Sequence, residues 1–282
     1  MLPALDPTVG RNYQNARFLA TACDLAYFPA AEGVEKFRST LGLKARLVEV
    51  DNTQVYICEN EGAIVAAFRG TESPATLDGF KDWLLTNARN FLVLPEGRAG
   101  TDFAAAGVGA RFHHGFLQAL EEVWSQFYTA IDDAVLDQER PVWLTGHSLG
   151  GALALLAAWR LQKNFVKVHQ VCTFGAPMIG NSAAAEAFHR EFPGRIFRYV
   201  DTRDLVPKLP TMSLASNEYS HCLTEIPLGP AAAEDVIGNM ARQTVDKVLE
   251  ATWADELWTK TFQGVDCHLM ANYIGRIEEQ MG

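Results

Sequence analysis

A serine lies between two glycines in the segment Gly146–Gly150, whose sequence GHSLG fits the pattern G-x-S-x-G. The segment follows the apolar run 142–145 and leads directly into a run rich in alanine and leucine. A strand, a sharp turn and a helix in this order form the setting that presents a serine hydroxyl as a nucleophile. Glycines are needed there because side chains would clash where the strand and the helix nearly touch. We therefore predict that Ser148 is a nucleophile.

A serine hydroxyl needs a histidine as its base and a carboxylate to orient that histidine. In the strand–turn–helix arrangement the acid follows the serine along the chain, and the histidine comes last. Asp204 is the favoured acid because it lies on the loop that leaves the strand predicted at 195–200. Asp201, at the end of the same strand, is the alternative.

Two histidines are candidates for the base, His221 and His268. His268 is favoured because it comes late, just before a predicted terminal helix, as the chain order requires. His147 is excluded because its side chain must point away from that of Ser148 at a tight turn.

The segments around these residues alternate between helix and strand. Helical spacing or composition marks 116–136, 151–162 and 181–192, and strand-like runs mark 141–145, 168–174 and 195–200. This alternation implies right-handed crossovers and a mostly parallel central sheet in an α/β fold. Upstream, a helix is predicted at 12–27, and runs at 46–50, 54–59 and 63–69 with polar turns between them predict an antiparallel meander.

We see no linker long enough to divide the chain, so residues 1–282 are predicted to form a single domain. The stretch at about 72–110 is irregular and rich in glycine and proline, which is typical of a functional loop or lid inserted in a domain. Between Glu72 and Asn87 it mixes large apolar residues such as Phe80 and Trp83 with charged ones at near-helical spacing.

The 282-residue chain has 24 basic and 34 acidic side chains and a formal net charge of −10. A pI near 5.2 argues against nucleic acid as the main partner, because phosphate binding needs a basic face. The longest apolar run, 149–159, is shorter than the roughly 20 residues that span a bilayer. The amino terminus has no basic start and no long apolar stretch, so we expect a cytoplasmic protein or a secreted one whose signal has been trimmed.

The five cysteines are widely spaced and include no Cys-x-x-Cys pair, which argues against a zinc ribbon and a full disulfide framework. No phosphate-binding loop, dinucleotide-binding motif or metal-ligand cluster is present in the sequence. We therefore expect neither a cofactor nor a metal.

Several further strings occur together and in one order: AFRGT at 67–71, HGF at 114–116, TGHSLGG at 145–151, TFGAP at 173–177, DLVP at 204–207 and HL at 268–269. With them the chain resembles the class 3 (fungal-type) lipases of the α/β-hydrolase superfamily. The resemblance implies the α/β-hydrolase fold, with helices on both faces of the sheet and a lid. It also implies a catalytic triad of Ser148, Asp204 and His268.

The same resemblance implies an oxyanion hole formed by Thr71, through its backbone N–H and its hydroxyl, and by the backbone N–H of Leu149. His114 is expected to pack or to form a hydrogen bond near the site. Two features depart from the family: the stretch from Thr71 to His114 is longer than in a compact member, and the cysteines do not reproduce the disulfide pattern of secreted fungal relatives.

The expected function is hydrolysis of carboxylic esters in acylglycerols, at a lipid–water interface, by an acyl-enzyme mechanism. An esterase or phospholipase with the same triad is the nearest alternative. A catalytically inactive lipid-binding relative is the alternative from another class of protein.

Overall fold

The computed structural model describes residues 1–70, 92–204, 206–208, 219–229 and 265–282. Its strands are β1 Lys44–Val50, β2 Thr53–Glu59, β3 Ile64–Phe68, β4 Leu92–Val93, β5 Phe112–His113, β6 Val142–His147, β7 Val168–Phe174, β8 Gly180–Asn181, β9 Ile196–Asp201, β10 Tyr219–Ser220 and β11 Thr224–Leu228. Its α-helices are α1 Tyr13–Leu25, α2 Ala30–Lys36, α3 Gly97–Ala104, α4 His114–Asp137, α5 Leu149–Lys163, α6 Ser182–Glu191, α7 Val265–His268 and α8 Met270–Glu279. A π-helical segment spans Phe37–Leu41, and a 3-10 turn spans Val206–Lys208.

A seven-stranded sheet in the order β1-β2-β3-β6-β7-β9-β11 organises the described residues. The first three strands are antiparallel neighbours, and every later pairing is parallel. The register places Phe68, at the end of β3, opposite Gly146 of β6. The predicted meander followed by parallel strands is therefore confirmed.

The central strands are apolar because the sheet is covered on both faces. Successive residues of β3 point to opposite sides, so Ile64, Ala66 and Phe68 enter one core while Val65 and Ala67 enter the other. Helices α4 and α5 cover the first face, and α1 and α8 cover the second. A strand buried on both faces is largely apolar, and the apolar residues Val142, Trp143 and Leu144 made β6 predictable from the sequence.

A second, smaller sheet pairs four two-residue strands in the order β10-β8-β5-β4. Within it, β5 just before α4 pairs with β8 just before α6. Within the predicted lid-like insertion, Phe103 of α3 is buried and its ring stacks on that of Trp159. Asp102 accepts a hydrogen bond from the guanidinium of Arg160 at 2.9 Å. Residues 92–110 of the insertion thus pack on α5, whereas 72–91 lie outside the described residues, and their role as a lid stays a prediction.

Candidate active site

Ser148 occupies a sharp turn between the end of β6 and the start of α5. Its backbone has φ 55° and ψ −129°, a conformation that costs a non-glycine residue free energy and is typical of functional turns. A Cβ atom at Gly146 would lie 2.1 Å from the carbonyl oxygen of Gly150, and one at Gly150 would lie 2.2 Å from that of Phe68. Both glycines are therefore needed, as the sequence pattern predicted.

The Ser148 hydroxyl lies at the amino end of α5. The side chain is buried, and its Oγ has no hydrogen-bond partner among the described residues. Leu149 is the first residue of the helix, where backbone N–H groups have no acceptor within the helix. The positive end of the helix dipole also favours negative charge at this point. The position thus suits a group on which negative charge develops.

Asp204 and His268 are brought together from positions 64 residues apart in the chain. The Nδ1 atom of His268 lies 2.7 Å from Oδ2 of Asp204, and both side chains are buried. A carboxylate oxygen accepts, so Nδ1 carries the hydrogen and Nε2 of His268 is left with its lone pair. That Nε2 atom is buried and has no partner among the described residues. The imidazole is therefore arranged to accept a proton at Nε2.

Tyr273 is a site residue that sequence reasoning missed. Its hydroxyl donates to Oδ2 of Asp204 at 2.6 Å, and the backbone N–H of Val206 donates to Oδ1 at 2.9 Å. Burial, followed by the nearby Asp204 carboxylate, raises the pKa of Tyr273 well above its usual value of 10, so the phenol keeps its proton. The sequence around Tyr273 does not predict this role, because Tyr273 looks like any other buried residue on the apolar face of α8.

The alternative acid, Asp201, has different partners. Its carboxylate accepts hydrogen bonds from the guanidinium of Arg203 at 2.9 and 3.1 Å and from the amide of Asn272 at 2.8 Å. Arg276 approaches the same carboxylate to 3.5 Å. Asn272 and Arg276 belong to α8, so Asp201 ties the carboxyl end of β9 to that helix.

The alternative base, His221, is also engaged elsewhere. Its Nε2 forms a hydrogen bond with the backbone oxygen of Pro207. Burial, followed by the charge of Arg198, lowers its pKa to about 3. Among the described histidines, His268 is the one that contacts Asp204.

The expectation that His114 packs near the site is wrong. His114 is exposed, because it begins α4 with its side chain toward solvent. His113 is the buried residue, and its Nδ1 accepts the backbone N–H of Phe116 at 3.3 Å, which caps the helix. Burial lowers the pKa of His113 to about 3, so it serves this cap as a neutral ring.

Thr71, the predicted oxyanion residue, lies outside the described residues. Gly70, the residue before it, lies against the turn that carries the serine. A Cβ atom at Gly70 would lie 3.3 Å from Cβ of Ser148 and 2.6 Å from the backbone oxygen of His147. The chain therefore enters Thr71 from a point in contact with Ser148, which is compatible with the predicted role.

No group of three or more histidine, cysteine, aspartate or glutamate side chains within the described ranges could hold a metal ion. All five cysteines are described, and none of them forms a disulfide bond. None of the helices in these ranges combines the length and apolar character that a bilayer crossing requires.

Comparisons with known proteins place the chain in a family. The pattern of the family described as Lipase (class 3) matches residues 65–214. A secreted mono- and diacylglycerol lipase of Gibberella zeae is 28% identical over 186 residues, which are 64% of this chain and 54% of that protein. The chloroplastic phospholipase A(1) DAD1 of Arabidopsis thaliana is 22% identical over 226 residues, which are 76% of this chain and 49% of that protein.

The chain thus spans about half the length of the curated relatives it matches. Among solved structures, a lipase from Rhizopus microsporus var. chinensis superimposes with a TM-score of 0.59 at 23% identity, over 82% of this chain and 80% of that one. The family match covers more than half of the chain and includes the serine turn, Asp204 and the strands that carry them. The chain therefore belongs to the class 3 lipase family and has the α/β-hydrolase fold.

Proposed function

We propose that this chain hydrolyses carboxylic esters of acylglycerols, with Ser148 as nucleophile, His268 as general base and acid, and Asp204 as the group that orients His268. The observation that carries the proposal is the buried hydrogen bond of 2.7 Å between His268 Nδ1 and Asp204 Oδ2. This hydrogen bond directs the Nε2 atom of His268 away from Asp204 and fixes the tautomer of the His268 ring. Ser148 Oγ and His268 Nε2 are both buried and without partners among the described residues, so a donor and an acceptor are left for the reaction.

The reaction proceeds in two halves. In the first, His268 Nε2 takes the Ser148 proton while Oγ forms a bond to the ester carbonyl carbon. The protonated imidazole then gives that proton to the leaving alcohol as the C–O bond breaks, which leaves an acyl group on Ser148. In the second half, water attacks the acyl carbon, His268 takes and returns one proton, and the fatty acid leaves.

The negative charge on the carbonyl oxygen needs two hydrogen-bond donors aimed at one point. The Leu149 N–H is supported as one donor by its place at the first residue of α5, where no helical acceptor competes for it. Thr71 is proposed as the second donor, because Gly70 before it lies against Ser148.

The choice of acylglycerol as substrate is supported by the relative named as a mono- and diacylglycerol lipase. A second candidate, a phospholipase of the same mechanism, is supported by the relative named as a phospholipase A(1), which matches a larger share of this chain. The two differ in the head group and not in the ester bond that is cleaved. Substrate comparison therefore separates them, whereas the triad variants test both.

The test uses the full chain with dissolved p-nitrophenyl butyrate, emulsified diolein and triolein, and phosphatidylcholine vesicles. We expect Ser148→Ala to lower hydrolysis of every ester by at least about 10⁴-fold while leaving the fold intact. Ser39→Ala, a matched change at an exposed serine, should leave the rates unchanged. A phosphonate ester inhibitor should add once, at Ser148, as read by mass spectrometry.

Three outcomes would contradict the proposal in different ways. Residual turnover of Ser148→Ala within about tenfold of the wild-type rate would remove Ser148 from the mechanism. Hydrolysis of phosphatidylcholine in preference to both acylglycerols would favour the phospholipase. Binding of lipid by the wild-type chain without any hydrolysis would indicate an inactive relative.

A further inference from the structure

His147, the residue before Ser148, has both of its ring nitrogens engaged. Its Nε2 lies 2.6 Å from the backbone oxygen of His268, and its Nδ1 lies 2.7 Å from the hydroxyl of Tyr27. The ring is buried, and its centre lies 4.5 Å from that of the His268 ring. The residue excluded from catalysis because its side chain points away from Ser148 thus contacts the proposed base.

In a neutral His147 ring only one arrangement of hydrogens satisfies both contacts. A carbonyl oxygen can only accept, so His147 Nε2 carries the hydrogen and donates it to His268. His147 Nδ1 is then an acceptor, and the Tyr27 hydroxyl donates to it. Burial, followed by the neighbouring His268, holds the pKa of His147 well below its usual value of 6.5, so the ring stays neutral.

The contacts continue from Tyr27 to the end of β3. Tyr27 follows α1, and its hydroxyl oxygen lies close to Gly70, just after β3. A Cβ atom at Gly70 would lie 2.3 Å from the Tyr27 hydroxyl oxygen, so only glycine leaves room for this approach. A series of contacts therefore runs from Gly70 through Tyr27 and His147 to the backbone of His268.

We propose that Tyr27 and His147 are positioning residues for the ester hydrolysis proposed above, and that they hold the backbone of His268 against the serine turn. The proposal rests on that function. His268 is the last residue of α7, a helix of four residues, and is followed by the exposed Leu269. Asp204 fixes the ring of His268 at Nδ1, and His147 fixes its carbonyl group. These two contacts, one at the ring and one at the backbone of His268, fix the position of its Nε2 atom.

The first test separates kcat from KM on dissolved p-nitrophenyl butyrate. His147→Phe keeps a flat ring but removes the donor, and we expect kcat to fall by about 10- to 100-fold with KM within about twofold. His147→Gln places an amide N–H near the position of Nε2 and should recover most of that loss. Tyr27→Phe removes one neutral hydrogen bond and should lower kcat by about three- to tenfold.

A matched control is available at Tyr56, which is buried and donates its hydroxyl to the backbone oxygen of Phe28 at 2.8 Å. Tyr56→Phe removes a comparable buried hydrogen bond away from the site, so it should reduce stability without changing kcat. An equal fall in kcat for Tyr56→Phe and Tyr27→Phe would overturn the proposal, since both changes would then act through general stability.

The second test is a double-mutant cycle. Because Tyr27 acts through His147, Tyr27→Phe should cause no further loss of kcat in a His147→Phe background. Losses that multiply would show independent structural effects and would overturn the proposal. The Tyr27→Phe measurement stands by itself if the His147→Phe chain does not fold.

The third test does not depend on activity. Long-range proton–nitrogen correlation spectra of the labelled wild-type chain should show His147 neutral at pH 6, with its hydrogen on Nε2. A hydrogen on Nδ1 in an active enzyme would overturn the positioning role alone. A wild-type chain that hydrolyses no ester would instead overturn the proposed function and this role with it.

Discussion

The hydroxyl of Tyr273 donates a hydrogen bond of 2.6 Å to Oδ2 of Asp204, the same oxygen that lies 2.7 Å from His268 Nδ1. A buried carboxylate is stable only when several donors replace the water that it has lost. Tyr273, His268 and the backbone N–H of Val206 supply those donors. Helix α8 therefore contacts the proposed pair of Asp204 and His268 directly, although it follows His268 in the chain.

The first prediction concerns Tyr273→Phe, which removes one donor from Asp204 without creating a large cavity. A hydrogen bond to a charged group contributes about 1.5–3 kcal/mol, so we expect unfolding to become easier by that amount. The orientation of Asp204 toward His268 should also loosen, and kcat should fall by about tenfold. Urea denaturation and ester hydrolysis measure the two effects.

Tyr199 offers the matched control, because both tyrosines contact the ring of Phe174. Tyr199 stacks on that ring, and Tyr273 meets it edge-on. The Tyr199 hydroxyl is buried without a partner among the described residues. Its removal should leave kcat unchanged and stability equal or slightly higher, because an unpaired polar group is no longer buried. Equal losses in the two variants would argue against a specific role for the Tyr273 hydroxyl.

The second prediction separates the two aspartates that the sequence left as alternatives. Asp204→Asn should lower kcat by about 10⁴-fold with little effect on KM, because the amide favours the wrong tautomer of His268. Asp201→Asn should instead weaken the connection to α8 and cost about 1.5–3 kcal/mol of stability, with kcat within about tenfold of wild type. A larger loss of kcat for Asp201→Asn would reverse the assignment.

The stability effect at Asp201 has a defined pH dependence. Burial works to raise the pKa of Asp201, but hydrogen bonds from Arg203 and Asn272 outweigh it and hold the pKa below its usual value of 3.8. A lowered pKa in the folded state stabilises the fold above the unfolded-state pKa, and this contribution is lost as the pH falls through the folded-state pKa. The difference in stability between wild type and Asp201→Asn should therefore be full above about pH 4 and shrink below it.

The elements that could be predicted are those with a local pattern. Strand β7 has the predicted bounds, and β6 was predictable because it begins with three apolar residues, as a buried parallel strand does, and runs into the serine motif. The two-residue strands β4, β5, β8 and β10 are too short to show any periodicity. Strand β11 contains Pro227, which lowers its strand propensity but is tolerated because β11 lies at the edge of the sheet.

The candidate site residues also divide into those that have a local sequence motif and those that have none. Ser148 has a motif, whereas Tyr273 and Tyr27 are single hydroxyls whose partners lie 69 and 120 residues away. Asp201 and Asp204 are three positions apart, and their places at the end of one strand and on the loop after it favoured Asp204 without excluding Asp201. Their roles differ only because Arg203 and Asn272 take one carboxylate, while His268 and Tyr273 take the other.

The last prediction concerns Gly70, where β3 ends beside the serine turn. A methyl group here would lie 2.3 Å from the Tyr27 hydroxyl oxygen and 2.6 Å from the backbone oxygen of His147. The second contact is with backbone and cannot be relieved by turning a side chain. Gly70→Ala must therefore push β3 away from Ser148, and with it the residue that follows, Thr71. We expect kcat to fall by about 100-fold if Thr71 is the oxyanion donor proposed above, because a displacement of about 1 Å at such a donor has an effect of that size.

Gly62→Ala is the control at the other end of the same strand. Gly62 is exposed, and a Cβ there meets only Asn60 Oδ1 at 3.7 Å. The free energy of unfolding should therefore change by less than about 0.5 kcal/mol, and kcat should stay unchanged. Wild-type activity in Gly70→Ala would mean that the contact between β3 and the turn does not set the position of the oxyanion donor. If combining Gly70→Ala with Tyr27→Phe raises activity to the level of Tyr27→Phe alone, the damage would instead be assigned to the Tyr27 hydroxyl, because the double change removes the closer of the two clashes.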